Sequence, residues 1–346
     1  MARYGCTITV DAGNIPSSQS NFAWLATDDN FPTAAIDGGS TSILNGGGNL
    51  RCYTDDTKAT QLPIEVVTFV TGGTPDVKVW GLSGTLAVGS TVYIEADTVA
   101  TTQPAVTDTY GRNSVWANRA VEQHFTTSNP VDSTGNHTTS SNGSPTSNGE
   151  SITFNGSSQY LSVADASDID GGSAFTLIAD YDPTVSGNQY LFWKRGVAGG
   201  YALTHIKTTN QVRFTLFGIS DYDIAAAFSA RSLVHAVIDG TNYELFIDGV
   251  SKGSTTISST RNTNTNDLRI ASRTDSSGVI DGHSPQTQWN SSFVGSALSD
   301  DYITAEANNI TDTATFWTTS AWEDQDAGGS ASIPVIMNQL RNQGIN

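Results

Sequence analysis

Short runs of alternating apolar and polar residues, each closed by a cluster of Gly, Asp, Asn, Ser or Pro, recur along nearly the whole 346-residue chain. A period of two marks strands with one face buried, and the clusters mark turns, so the pattern constrains the chain to an all-β fold of many antiparallel strands. The stretch "YELFIDGVSKGSTT" at 243–256 shows the rule locally. Tyr243, Leu245 and Ile247 fall on one strand face, while Asp248-Gly249 supplies the positive-φ pair of a primed hairpin turn, which lays the next run antiparallel beside it.

Between residues 6 and 96 the runs are "CTITV", "NLRCYT", "LPIEVVTFV", "DVKVWGL" and "STVYIEA". Residues 98–108 lack periodicity and carry Pro104, which sets a boundary there. A second series follows from "ITFNGSSQYLSV" through "FTLIADY", "QYLFWK", "YALTHIK", "QVRFTLFG", "LVHAVID" and "LRIAS", with the spacing of a two-sheet sandwich. The expected organisation is two β-sandwich domains, 1–108 and 109–320, then a flexible linker and C-terminal tail at 321–346. The stretch at 132–151 is nearly all turn formers, but strand character resumes directly after it, so it reads as a long surface loop. A short peripheral helix is expected late in the second domain: Ser299 caps it, Asp300 and Asp301 suit its positive end, and Asn308-Asn309 stop it.

Only 14% of residues are charged, and the net charge of −18 would repel phosphate backbones and anionic lipid surfaces, so nucleic acid is not an expected partner. No apolar run approaches the roughly 18–20 residues of a membrane helix, and membrane insertion is not expected. The opening "MARYGCTITV" enters a strand pattern at once, without the basic and apolar regions of a secretion signal. Cys6 and Cys52 can pair if their strands are neighbours; the sequence leaves that open.

The second half resembles the laminin-G-like, concanavalin A-type lectin/glucanase superfamily, through "DSTGN" (132–136), "ITFNGSSQYLSV" (152–163), "HAVIDGTNYELFIDGVSKGS" (235–254) and "ALSDDYITAEANN" (297–309). The first half is similar to a small β-sandwich family of undefined function that precedes such domains, through "GGGNLRCYTDD", "LPIEVVTF" and "VKVWGLSGTLAVGSTVYIEA". The resemblance implies a concanavalin A-like jelly roll for the second domain. It also implies a setting on bacterial surfaces or in tailed-phage virions, calcium as the usual ion, and glycans as the usual ligands. Asp132 and Asn136 in "DSTGN" are the implied calcium ligands, with Asp165, Asp168 and Asp170 as further candidates; turn chemistry accounts for both stretches equally.

Glycosidases of that superfamily carry a Glu-x-Asp-x-x-Glu strand, in which alternate carboxylates reach one glycosidic bond. The seven glutamates here stand singly along the chain, and no enzyme activity is expected. Asp180/Asp182 and Asp221/Asp223 have strand spacing but sit near turns. His235 shares a strand face with Leu233 and Val237 and reads as a hydrogen-bonded core histidine, and His124 reads similarly. Glycan binding wants exposed aromatics beside amides and carboxylates; Trp193, Tyr222 and Trp289, with Lys194 and Asp221, meet that description, and core packing of the tryptophans meets it equally.

After the acidic, glycine-rich stretch at 323–332, Ile333, Ile336, Met337 and Leu340 fall at i, i+3, i+4 and i+7, one stripe of a helix that needs a partner surface. The reading is a non-enzymatic structural protein of a tailed-phage virion, on head or tail, displaying a lectin-like domain. Its expected partners are other virion subunits, further copies of itself as a homo-oligomer, and cell-surface glycans. The alternatives are a bacterial surface adhesin, placed extracellularly, and a glycan-active hydrolase.

Overall fold

The computed structural model describes residues 3–228, 230–260 and 262–326, and within them the fold is all-β. Ile333, Ile336, Met337 and Leu340 lie outside the described residues. Two hydrophobic cores, each enclosed by a pair of antiparallel sheets, account for most of the buried hydrophobic side chains.

The first core lies between a six-stranded and a three-stranded sheet. The six-stranded sheet runs Trp317–Thr319, Tyr4–Val10, Thr91–Ala96, Leu50–Tyr53, Gln61–Leu62, with Glu323–Asp324 also on Tyr4–Val10; the other sheet is Gln19–Thr27, Asp76–Leu86, Ile64–Val70. Cys6 and Cys52 both pair with Ile94, from opposite sides of the strand Thr91–Ala96. Two strand spacings put them about 10 Å apart, beyond disulfide reach, and both are free and buried.

The second core lies between an eight-stranded sheet, in which Pro285–Val294, Ala174–Tyr181, Ser232–Asp239 and Asn242–Ile247 are neighbours, and a seven-stranded sheet that runs from Ser220–Ala225 through Gln189–Gly196 to Thr139–Asn142. The hairpin at Asp248-Gly249 forms as the sequence dictates: φ is +51° and +75°, and Ile247 pairs with Val250. Tyr243, Leu245 and Ile247 all enter this core. The polar stretch at 132–151 is only partly loop, since Thr139–Asn142 and Thr146–Ser147 add edge strands.

The helix Asp300–Thr311 is capped as expected, with Ser299 Oγ accepting from Tyr302 N, but it is neither peripheral nor stopped at Asn308 and Asn309. It is wedged between the two sandwiches. Ile303 packs on Val237 and Phe246, and Ala307 packs near Ile178 and Leu233 of the eight-stranded sheet. On its other side Ala305 joins the first core, the Tyr302 ring lies 5.1 Å from Phe22, and Asn309 bonds both N and O of Leu25 at 2.6 and 2.9 Å. Past the helix the chain returns to the first sandwich, where Trp317 packs edge-on against Trp24 and Trp317–Thr319 pairs with Tyr4–Val10. The sequence boundary at 320 therefore cuts through one sheet edge, and residues 321–326, read as linker, include a paired strand.

Candidate functional site

The two sandwiches meet across a seam of buried ionisable groups. Arg119 stacks on the Trp116 ring at 4.8 Å and donates to Glu122 at 2.6 Å and to Glu306, whose second oxygen lies 2.9 Å from His235 Nε2. Burial pushes the Glu306 carboxyl upward, but Arg119 and His235 overcome this and hold it at about 2. Glu65 of the strand Ile64–Val70 accepts from Ser133 Oγ at 2.7 Å and from Trp116 Nε1, and lies 3.2 Å from His124 Nε2. Burial opposes charge on both members of that pair; their mutual attraction wins, lowering Glu65 and raising His124. His235 and His124 are thus hydrogen-bonded interior histidines, as their strand positions indicate.

Above this seam a cavity of about 280 Å³ opens between the sandwiches. Trp80 and His124, stacked at 5.7 Å and 18° between planes, form part of its wall, and Trp289 faces it from the eight-stranded sheet. Trp289 is placed by a bulge: Asp180 pairs with Asn290 and Tyr181 with Gln288, leaving Trp289 as the extra residue. Bulges re-aim single side chains in this way. Arg231 lies over the Trp289 ring at 4.6 Å and grips both oxygens of Asp180, with Nε at 2.8 Å. Burial raises the Asp180 carboxyl, and Arg231, gripping both of its oxygens, opposes that rise. Asn290 donates to Glu122 Oε1 at 2.7 Å and leaves its Oδ1 without a partner among the described residues. Across the mouth Lys78 of the first sandwich faces Glu150 of the second at 3.8 Å. The arrangement offers an aromatic shelf and a charged rim, which suits a polar, hydroxyl-bearing ligand.

The sequence-chosen residues do not converge. Trp193 is held in an outer aromatic cluster, 4.8 Å from Phe217 and 5.5 Å from Tyr190, with its indole donating to Thr274 O at 3.1 Å. Lys194 is fully enclosed: its ammonium meets Asp165, Asp170 at 3.1 Å and the carbonyls of Asn266 at 2.7 Å and Asn264 at 3.4 Å. It cannot reach a glycan. Tyr222 packs on the second core and accepts from Ser258 N at 3.0 Å, while Asp221 joins Asp223 in holding Arg213. Of the five, only Trp289 lies in the cavity.

The calcium expectation meets a physical obstacle at Asp132. That buried carboxylate already accepts from Glu122 N, Thr134 N, Thr134 Oγ1 and His137 N, at 2.6 to 3.1 Å, and Asn136 stands exposed beside it. At the other candidate stretch Asp165 and Asp170 hold the Lys194 ammonium, so the cation there is a side chain. Among the described residues no group of three or more His, Cys, Asp or Glu side chains forms a metal cluster. Trp80, Asp180 and Arg231 come from distant segments, and of the three only Asp180 stands out in the sequence, by its strand spacing to Asp182.

No family model and no curated protein matches the chain. Among solved structures it is similar to the binding domain of botulinum neurotoxin DC, determined in complex with rat synaptotagmin II, at 13% identity over 59% of this chain and 53% of that one, with a TM-score of 0.46. A botulinum neurotoxin type C structure, described as entering cells through two ganglioside molecules, matches at 13% identity over 57% and 52% of the two chains with a TM-score of 0.45. The binding domain of serotype D gives 11%, 55%, 51% and 0.44 in the same order. This chain spans about half the length of those structures.

Proposed function

We propose that the protein is a non-catalytic carbohydrate-binding β-protein that holds its ligand in the cavity between the two sandwiches, and that it serves as a structural component of a tailed-phage particle. The observation that carries the binding reading is the bulge-presented, partly exposed Trp289 opposite the Trp80/His124 wall. Sugar faces pack on aromatic rings. The virion setting and the concanavalin A-like relationship of the second sandwich are supported by the sequence resemblance of both halves in their order.

Binding of the full chain to a panel of oligosaccharides, read by calorimetry, tests the first part. Trp289→Ala should weaken the best ligand about tenfold or more, given the energy of one aromatic contact in a desolvated site. Equal affinity in wild type and variant overturns this site. The enzymatic alternative has one observation in its favour, the buried Asp180 in a cleft with Glu150. Release of reducing sugar that disappears in Asp180→Asn would establish it and displace the binding reading. Proteomics of purified particles tests the virion part, and absence from the particle with presence on a bacterial surface would favour the adhesin.

A further inference from the structure

The cavity continues. Val67, His124 and Thr126 are shared walls between it and a second recess of about 280 Å³, so the two form one groove along the seam. The second recess has apolar sides, Val66 on one sandwich and Val131 on the other, and Arg112 at its edge. Arg112 Nε donates to Asn113 Oδ1 at 3.3 Å, and its two terminal nitrogens have no partner among the described residues. The hydroxyls of Thr126 and Thr127 in the same recess are likewise without one.

An unengaged guanidinium is conspicuous in a chain with 34 acidic and 16 basic side chains. Arg119, Arg213, Arg231 and Arg273 each face a carboxylate, while Arg51 is held by carbonyls and Arg195 and Arg269 by the Phe217 and Tyr160 rings. At the recess floor the Glu65 carboxylate is already engaged by His124 at 3.2 Å, by Ser133 Oγ at 2.7 Å and by Trp116 Nε1, and it forms no ion pair with Arg112. A guanidinium fork offers two parallel N–H donors, the complement of a planar carboxylate edge. One positive charge in a molecule of net charge −18 matches a monovalent oxyanion and disfavours a phosphate dianion.

We propose that Arg112 anchors the carboxylate of an acidic sugar residue, with Thr126 and Thr127 meeting that residue's hydroxyls, so that the groove reads an acidic oligosaccharide whose neutral portion lies toward Trp289. The inference rests on the glycan-binding reading of the groove. It names what that reading leaves open, the charge class of the ligand.

The experiment uses the full chain and matched oligosaccharides: a uronic-acid-containing form, its carboxyl-reduced form, and a sulfated form of the same backbone. Wild type should prefer the uronate to the carboxyl-reduced form by about tenfold, and Arg112→Gln should remove that preference by lowering the uronate's affinity toward that of the reduced form. Arg112→Lys, which keeps the charge and loses the fork, should recover only part of it. Unchanged thermal unfolding of Arg112→Gln excludes misfolding as the cause. Equal binding of uronate and reduced forms, or an unchanged preference in Arg112→Gln, overturns the proposal while leaving the groove a glycan site. A preference for sulfate over carboxylate overturns the carboxylate assignment. Failure of every oligosaccharide to bind overturns the glycan reading itself, and the proposal with it.

Discussion

Replacing Lys194 with Met removes a buried charge while nearly preserving side-chain length. The ammonium is fully enclosed and is the counter-ion for Asp165 and Asp170, as well as the donor to two loop carbonyls. Removing one partner of a buried ion pair costs about 3–5 kcal/mol because the remaining charge is left uncompensated. Here Asp165 and Asp170 keep 31% and 17% of their side-chain surface in water, so solvent screens part of the loss and about 2–3 kcal/mol is expected. Urea unfolding followed by Trp fluorescence reads the change, because Trp193 adjoins Lys194 in the same strand. The triple variant Lys194→Met, Asp165→Asn, Asp170→Asn removes the stranded carboxylates and should recover at least half of the loss. A Lys194→Met loss below about 1 kcal/mol, or a triple variant no better than the single one, would refute the account of Lys194 as the cation of this cage.

Two further outcomes follow from the seam and the hairpin. Glu306 is held at about 2 against an ordinary 4.5, so its contribution is present above pH 4.5 and is lost as pH falls toward 2, whereas the raised His124 contributes below 6.5 and loses that as pH climbs through its folded value. Thermal unfolding should therefore weaken steeply between pH 4.5 and 2, and Glu306→Gln should flatten that slope; an unchanged slope contradicts the assignment. Gly249→Ala places a Cβ 2.8 Å from the Ala307 Cβ at φ +75°, and should cost about 2–4 kcal/mol from backbone strain and overpacking against the helix. A neutral substitution there would mean that the hairpin and helix are not in contact.

The features legible in the sequence are those fixed by neighbours along the chain. The Asp248-Gly249 turn, the Ser299 cap and the interior His235 each depend on a few adjacent residues. The strand Gln19–Thr27 escaped because both its faces are covered: Phe22, Trp24 and Ala26 enter the first core, while Ala23 and Leu25 lie under Trp80, Trp116 and Ile310. With both faces buried, no alternation survives to be read. The helix hides its interior position for a related reason. Its buried residues include Glu306 and Asn309, which satisfy the polar seam, so no apolar stripe reveals that both its sides are covered. Adjacent residues of a strand point to opposite faces, so Trp193 and Lys194 do not serve one surface together. Trp289 was visible as an aromatic beside amides, but Asp180, Arg231 and Trp80 reach it only through the fold.

The groove's walls belong to different sandwiches, so its shape is only as fixed as their mutual orientation. A purely apolar contact would tolerate small slips, because hydrophobic burial is nondirectional. Here the contact is directional. Asn309 of the interposed helix bonds both backbone groups of Leu25, Glu65 of the first sandwich reaches across to Trp116, His124 and Ser133, and Arg119 ties the helix to the eight-stranded sheet through Glu306 and Glu122. Displacing one sandwich against the other by an ångström would strand buried charges at a cost of several kcal/mol. The ionic seam, which an apolar one could match for stability, fixes instead the distance between Trp80 and Trp289, and a ligand entering a groove so fixed has little ordering left to do.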